Sequence, residues 1–356
     1  MIYVHVPFCR SFCTYCDFYS EIACRGRDGE AFGHYADGVC DEIAGRRAEI
    51  AGTLGTNTLY IGGGTPSVLP LSCLERIVHA LGTGPQKEFT IEVNPDDIIR
   101  KGPGYVKGLL DLGINRISMG IQSLDDNMLR WMNRRHDSAE AVEAFRILRD
   151  AGAGNISTDV IFGISHLSEK TMSDTLDGLL ALRPDPISAY QLSIEDGSAL
   201  RQMVDKGLYE EAEEALCRSQ YELICRKLRE AGFHHYEISN WAVPGREAVH
   251  NSAYWDRLPY VGLGPGAHSF IGNVRSWNTQ ELHGWTSESE LLTPEDERTE
   301  ALMLGLRTDK GAPASLCDNA SMESLVAEGA LQKEGDRVLI PESHFFVSDE
   351  IIRALL

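Results

Sequence analysis

The sequence predicts an α/β protein, a partial (β/α)6 TIM-like barrel followed by a small C-terminal helical or winged-helix-like unit. Two observations carry this. Six apolar, strand-like runs alternate with helix-length amphipathic stretches, the order that builds βαβ units and a parallel sheet. Six units also fall short of the eight that close a barrel. The sheet is therefore expected to stay open, with residues 194–290 closing one side.

The runs are IYVHV at 2–6, TLYIGGG at 58–64, FTIEVNP at 89–95, NRISMGIQ at 115–122, NISTDVIFG at 155–163 and PISAYQLS at 186–193. Helical patterns lie between them at about 30–51, 70–82, 98–112, 137–152 and 168–182. Several strands end in Gly, Asn, Asp or Gln, and in parallel α/β folds the chemistry gathers at those carboxyl ends. The stretch 209–231 has apolar residues at helical spacing and a Gly stop, which reads as a packing helix. Beyond residue 290 come short helices and a hairpin, LQKEGDRVLIP, with Thr293 or Asp296 as the cap of a helix beginning near 295. The expected division is a barrel core at 1–193, a closing extension at 194–290 and a small C-terminal domain at 291–356.

Composition narrows the function. Of 356 residues, 43% are hydrophobic, enough for a sizeable core. A balance of 33 basic against 53 acidic side chains gives a net charge of −20, which argues against nonspecific binding to nucleic acid. No apolar run approaches the ~18 residues of a membrane span, and the opening MIYVHV has no signal-like basic region, so a cytoplasmic location is expected. Nine cysteines, an odd number, do not form a secreted disulfide framework. Those at 24, 40, 73, 217, 225 and 317 are expected to be buried small hydrophobes.

The remaining three fall in VHVPFCRSFCTYCDFYS at 4–20, as Cys9, Cys13 and Cys16. A structural zinc site would need a fourth ligand, from His5 or a distant His. Incidental buried thiols are a second reading. The third is a 4Fe-4S cluster on three thiolates, which leaves one iron open to substrate. With this spacing after the first strand of a βα-repeat chain, the sequence resembles the radical SAM superfamily. That resemblance implies a cluster whose open iron chelates S-adenosylmethionine (SAM), and a reductant protein such as flavodoxin or ferredoxin as partner.

GGGTPS at 62–67, Glu92, Gln122, Arg134 and Asp159 lie at or just beyond strand ends. Together with PISAYQLSIEDGS at 186–198 and GLGPGAHSF at 262–270, they resemble the oxygen-independent coproporphyrinogen III oxidase-like family. The resemblance covers most of residues 1–310, with ISHLSEKT at 164–171 departing from the Gly-rich turn expected there. It implies SAM contacts from Tyr3, Gly63, Gly64, Thr65 and Glu92, and a second SAM held by Tyr15, Gln122, Arg134 and Asp159.

Within that family the oxidase carries CxxxCxxCxC and an N-terminal extension, whereas here Phe18 stands at the last cysteine position and eight residues precede Cys9. Both departures resemble the HemW branch, regarded as haem chaperones that pass haem to acceptor proteins. HNSAYW at 250–255 matches the HNxxYW pattern associated with haem in that branch, which makes His250 the candidate axial ligand. His234 and His235, in a run that reads as an edge strand, and His268 are weaker candidates. Trp131, Trp277 and Trp285 read as packing residues. The rival function is a radical reaction on a tetrapyrrole such as coproporphyrinogen III.

Overall fold

The computed structural model of the chain describes residues 1–22 and 28–356, so Cys24 lies outside the described residues. Six parallel strands form its centre: β1 (Ile2–Val6), β2 (Thr58–Gly63), β3 (Glu88–Val93), β4 (Arg116–Gln122), β5 (Ile156–Phe162) and β6 (Pro186–Gln191). These are the six runs marked in the sequence, and they pair in chain order. Three further strands, β7 (His234–Glu237), β8 (Asn240–Ala242) and β9 (Val261–Leu263), complete a nine-stranded sheet in the order β9-β1-β2-β3-β4-β5-β6-β8-β7. The fold is thus α/β on a large, mostly parallel sheet.

Residues 194–290 extend both edges of this sheet instead of one side. Strand β9 runs parallel to β1 with Ile2 opposite Val261, while β8 is antiparallel to β6 with Asn240 opposite Ser188. The β7 strand is outermost, as the HHYEIS run suggested.

Strand periodicity sorts the side chains. Ile2, Val4 and Val6 are buried in the core, while Tyr3 and His5 point to the opposite face and line a cavity. The helix Asp28–Gly45 lays Phe32, Tyr35, Ala36, Val39 and Ile43 on the same core at helical spacing. Phe8 meets Phe32 and Tyr35 edge-on, at centroid distances of 4.9 and 5.4 Å. That contact fixes the start of the cysteine loop against the first helix.

Two helices differ from expectation. The helix Pro95–Asp111 is kinked at Gly102, whose φ of 69° breaks the helical course just before Pro103. The helix expected at 209–231 begins only at Glu214. Tyr209 is held away from it, its ring 5.2 Å from Trp131 and its hydroxyl accepting from the Ser165 amide at 3.2 Å.

At the C-terminus, the helix Pro294–Gly305 opens with a capping box between Thr293 and Asp296. The hairpin Gln332–Glu334/Arg337–Leu339 pairs with Ala312–Pro313 into a small antiparallel sheet flanked by helices. Leu302, Val338, Phe345 and Ile352 belong to the same continuous core as the barrel. Glu342 ties this unit to the barrel edge, 3.1 Å from His235 Nδ1 and 2.5 Å from Arg229. Cys73, Cys217, Cys225 and Cys317 are buried as expected, whereas Cys40 is half-exposed, its thiol 3.7 Å from the Arg76 carbonyl. Among the described residues no helix is long and apolar enough to cross a membrane.

Candidate functional site: a cysteine-rimmed cavity at the strand ends

A cavity of about 410 Å³ opens at the carboxyl ends of the parallel strands. Of the candidates marked in the sequence, it gathers Cys9, Cys13, Tyr15, Cys16, Gly63, Gly64, Thr65, Glu92, Gln122, Arg134 and Asp159. Tyr3 and His250 are not on its wall.

The cysteine loop crosses the rim and is pinned at several points. Thr14 donates its amide to the Met132 carbonyl at 3.1 Å and its hydroxyl to Trp131 at 2.8 Å. The Asn133 side chain donates to the Phe12 carbonyl at 2.6 Å, and the Leu200 amide to the Thr14 carbonyl at 2.7 Å. On the inner side Arg10 reaches the fully buried Asp97 at 3.4 Å. A loop so anchored presents its thiols in fixed positions.

Those thiols are not packing residues: Cys13 and Cys16 are partly exposed and all three face the cavity. Nor do they converge on a single ion. Zinc–thiolate bonds place tetrahedral sulfurs about 3.8 Å apart. Among the described residues the His, Cys, Asp and Glu donors that close to within 4.8 Å are Cys225, His235 and Glu342, at the C-terminal unit, and not this trio. His5 is no fourth ligand, because its Nδ1 lies 3.0 Å from the Tyr3 hydroxyl and its Nε2 3.0 Å from the Tyr19 carbonyl. Three soft donors spread around one rim fit a larger body carrying several cations, such as a 4Fe-4S cluster. Without one, burial pushes the Cys9 thiol up and the Cys16 thiol up to about 11.

Against the start of the loop, β2 ends in a glycine shelf. A methyl at Gly64 would stand 2.8 Å from the Phe8 carbonyl oxygen and 3.1 Å from the Cys9 sulfur. Only glycine lets the two segments approach so closely. Thr65 places its hydroxyl 3.5 Å from the same sulfur. Glu92, at the end of β3, accepts from the Gly63 amide at 3.0 Å and from the Tyr60 hydroxyl at 2.7 Å. Burial raises its carboxyl to about 7. A buried carboxylate with this pull toward neutrality is suited to receive a cationic group such as an ammonium.

The far wall comes from β4 and β5. Between Gly120 and Gln122 the register with β5 shifts, and Gln122 takes a φ of 69°, an uncommon backbone for a non-glycine residue. The bulge ends the strand with the Gln122 side chain on the cavity. Arg134 lies in the turn after the helix Asp126–Trp131, with one terminal nitrogen 3.3 Å from the Cys13 sulfur and the other donating to the Gly120 carbonyl. Its Nε is buried without a partner among the described residues. An orphaned guanidinium nitrogen beside a cluster of thiols calls for an anion. Asp159 is raised to about 6 by burial and lies 3.5 Å from the Ser118 hydroxyl.

Sequence reasoning missed Arg116, Ser118, Ser188 and Tyr190, which also line the cavity. The signal was present: 116, 118, 120 and 122 alternate along β4, and 188 and 190 along β6, so each set shares a face. Asn251, inside HNSAYW, reaches the same cavity.

His250, by contrast, is fully buried in the helix Val249–Trp255. Its Nδ1 lies 3.0 Å from the Thr58 hydroxyl and its Nε2 3.1 Å from the Tyr254 hydroxyl, and its ring stands 5.1 Å from that of Tyr60. Neither nitrogen is open to an iron in this structure. Tyr3 belongs to a second cavity, also of about 410 Å³, on the β1 side, whose lining includes Phe18, Tyr254 and His268. Phe18 and Asp17 border both cavities.

Comparison with known proteins agrees with this architecture. The profile of the radical SAM superfamily matches residues 3–179. The chain is 35% identical to the Synechocystis protein named Heme chaperone HemW, over 94% of this chain and 84% of the other. With the Mycobacterium tuberculosis protein of the same name it shares 30%, over 100% and 94%. Among solved structures, Escherichia coli coproporphyrinogen III oxidase (HemN) superposes with a TM-score of 0.82 at 20% identity, covering 99% of this chain and 89% of that one, a likeness of fold.

Proposed function

For a chain that belongs to the radical SAM superfamily and, within it, to the HemW family, we propose the function of a haem carrier: it binds a 4Fe-4S cluster, SAM and haem, and delivers the haem to an acceptor protein in the cytoplasm. Cys9, Cys13 and Cys16 hold the cluster. A bound cluster would supply one-electron reducing power to the SAM sulfonium, with a reductant protein such as flavodoxin or ferredoxin as its source.

This chain's own residues position SAM. Gly63, Gly64 and Thr65 form the shelf that admits it beside Cys9, and Glu92 receives its ammonium group. Arg134, with its unpartnered Nε, receives a carboxylate. Tyr15, Gln122 and Asp159 complete a wall able to hold a second SAM.

The observation that carries the carrier reading over a decarboxylase is Phe18. It is 65% exposed on the lip between the two cavities, where the oxidase pattern has another thiol, and it offers flat apolar surface and no ligand. A second reading, a radical reaction on coproporphyrinogen III, is favoured by the convergence of Tyr15, Gln122, Arg134 and Asp159 on one cavity. The deciding assay is anaerobic incubation of reconstituted protein with SAM, reductant and coproporphyrinogen III. The carrier reading expects no conversion of the propionates, and turnover overturns it.

A further inference from the structure

The inference rests on the reading of haem as cargo and concerns where its iron is held. Two imidazoles, His5 and His268, line the cavity beside β1, and a third, the fully buried His250, stands behind its Tyr254 wall. Those of His5 and His250 have both ring nitrogens engaged, by Tyr3 and Tyr19 in one case and by Thr58 and Tyr254 in the other. The remaining one, His268, begins the strand His268–Ile271, is exposed, and faces the cavity. Neither of its ring nitrogens has a hydrogen-bond partner among the described residues.

The walls around it suit a flat macrocycle. Tyr3, Tyr19, Tyr254 and Tyr260 line the cavity, Tyr254 and Tyr260 meeting edge-on at 4.7 Å, and Phe18 stands at the mouth. A volume of about 410 Å³ falls in the range of roughly 300–1,000 Å³ common for small-molecule sites. The exposed Phe18 and His268 mean that a porphyrin seated here keeps one edge in solvent, where an acceptor can reach it.

We propose that this aromatic cavity is the haem site, with His268 as the axial ligand of the iron, and that His250 of the HNxxYW motif is a positioning residue acting through Tyr254. Partial desolvation by the cavity walls, and after it the Arg275 guanidinium, hold the His268 imidazole below its ordinary pKa, which favours the neutral, ligating ring. Ligation then forms an Fe–N bond from a free lone pair, with no proton released and no change of oxidation state. In this arrangement His250 does not touch haem. It fixes the ring of Tyr254, which does.

The test is titration of the cluster-reconstituted full chain with hemin, following the Soret band. Wild type is expected to bind with the spectrum of a histidine-ligated haem. His268→Ala is expected to weaken binding on the order of tenfold and to lose that spectrum, with free imidazole restoring it and iron and sulfide content unchanged. His250→Ala, which removes the partner of the Tyr254 hydroxyl, is expected to weaken hemin binding while keeping the Soret position of a histidine-ligated haem, and loss of that position would return ligation to His250. An unchanged Soret band and affinity in His268→Ala would overturn the site while leaving the carrier reading intact. Failure of the wild type to bind hemin at all would instead overturn the carrier reading on which the proposal rests.

Discussion

The Tyr254 hydroxyl lies 3.1 Å from His250 Nε2, joining the buried start of HNSAYW to the wall of an open aromatic cavity. Because Thr58 takes the other imidazole nitrogen, truncating His250 strips two hydroxyl groups of their partner and leaves a void at a fully buried position. His250→Ala is expected to cost about 2–4 kcal/mol of stability. The check is the denaturant midpoint, read beside the hemin spectrum, whose Soret position should persist in whatever fraction folds.

Cys13→Ser should remove the cluster, since a serine oxygen is a poor substitute for a soft thiolate. Iron and sulfide analysis with visible absorbance reads this directly. Unchanged iron content in the variant would contradict the assignment.

Gly64→Ala tests the shelf with a single methyl. The added carbon meets the backbone oxygen of Phe8 as well as the Cys9 sulfur, and backbone yields less readily than a side chain. The expected penalty is about 1–3 kcal/mol, with cluster incorporation reduced because the cysteine loop is pushed off its seat. Cluster occupancy equal to wild type would show that the approach is not needed.

The Glu92 carboxyl gives a pH signature. Its folded pKa of about 7 stands above the ordinary 4.5 because burial favours the neutral form. The stabilising contribution of that neutral form is therefore fully present below about pH 4.5 and is lost as pH rises through 7. The difference amounts to about 3 kcal/mol. In the metal-free protein, Glu92→Gln should flatten this dependence, matching wild type near pH 4.5 and exceeding it at pH 8. In the reconstituted protein the ionised carboxylate is the form that receives an ammonium group, so SAM affinity should rise with pH across the same interval and lose that rise in Glu92→Gln. Thermal midpoints and SAM titrations at several pH values check both.

Much of the site is legible in the sequence, because its parts are tied to local sequence rules. The strands announced themselves by apolar runs, and the cysteine spacing and GGGTPS stood at strand ends. What could not be read was which side chains share a wall across strands. Arg116 and Ser118 belong to no motif, although strand alternation sets them on the face of Gln122. The resemblance groups Tyr3 with the SAM contacts, and its side chain lines the neighbouring cavity. His250 shows the deeper limit. A motif names a histidine but not its partners, and the hydroxyl of Thr58 is 192 positions away in the chain. The kink at Gly102 and the late start of the helix Glu214–Glu230 likewise depend on tertiary contacts or a single backbone angle that hydrophobic periodicity does not register.

The most direct test of the account is haem transfer from the carrier. Protein reconstituted with its cluster and loaded with haem is mixed anaerobically with an apo-haem protein, and the Soret band of each is followed after separation. The account predicts that the acceptor gains haem while this chain loses haem and keeps its iron–sulfur absorbance. A chain that takes up no haem, or that holds it and never yields it to the acceptor, would contradict the claim that this fold carries haem for delivery.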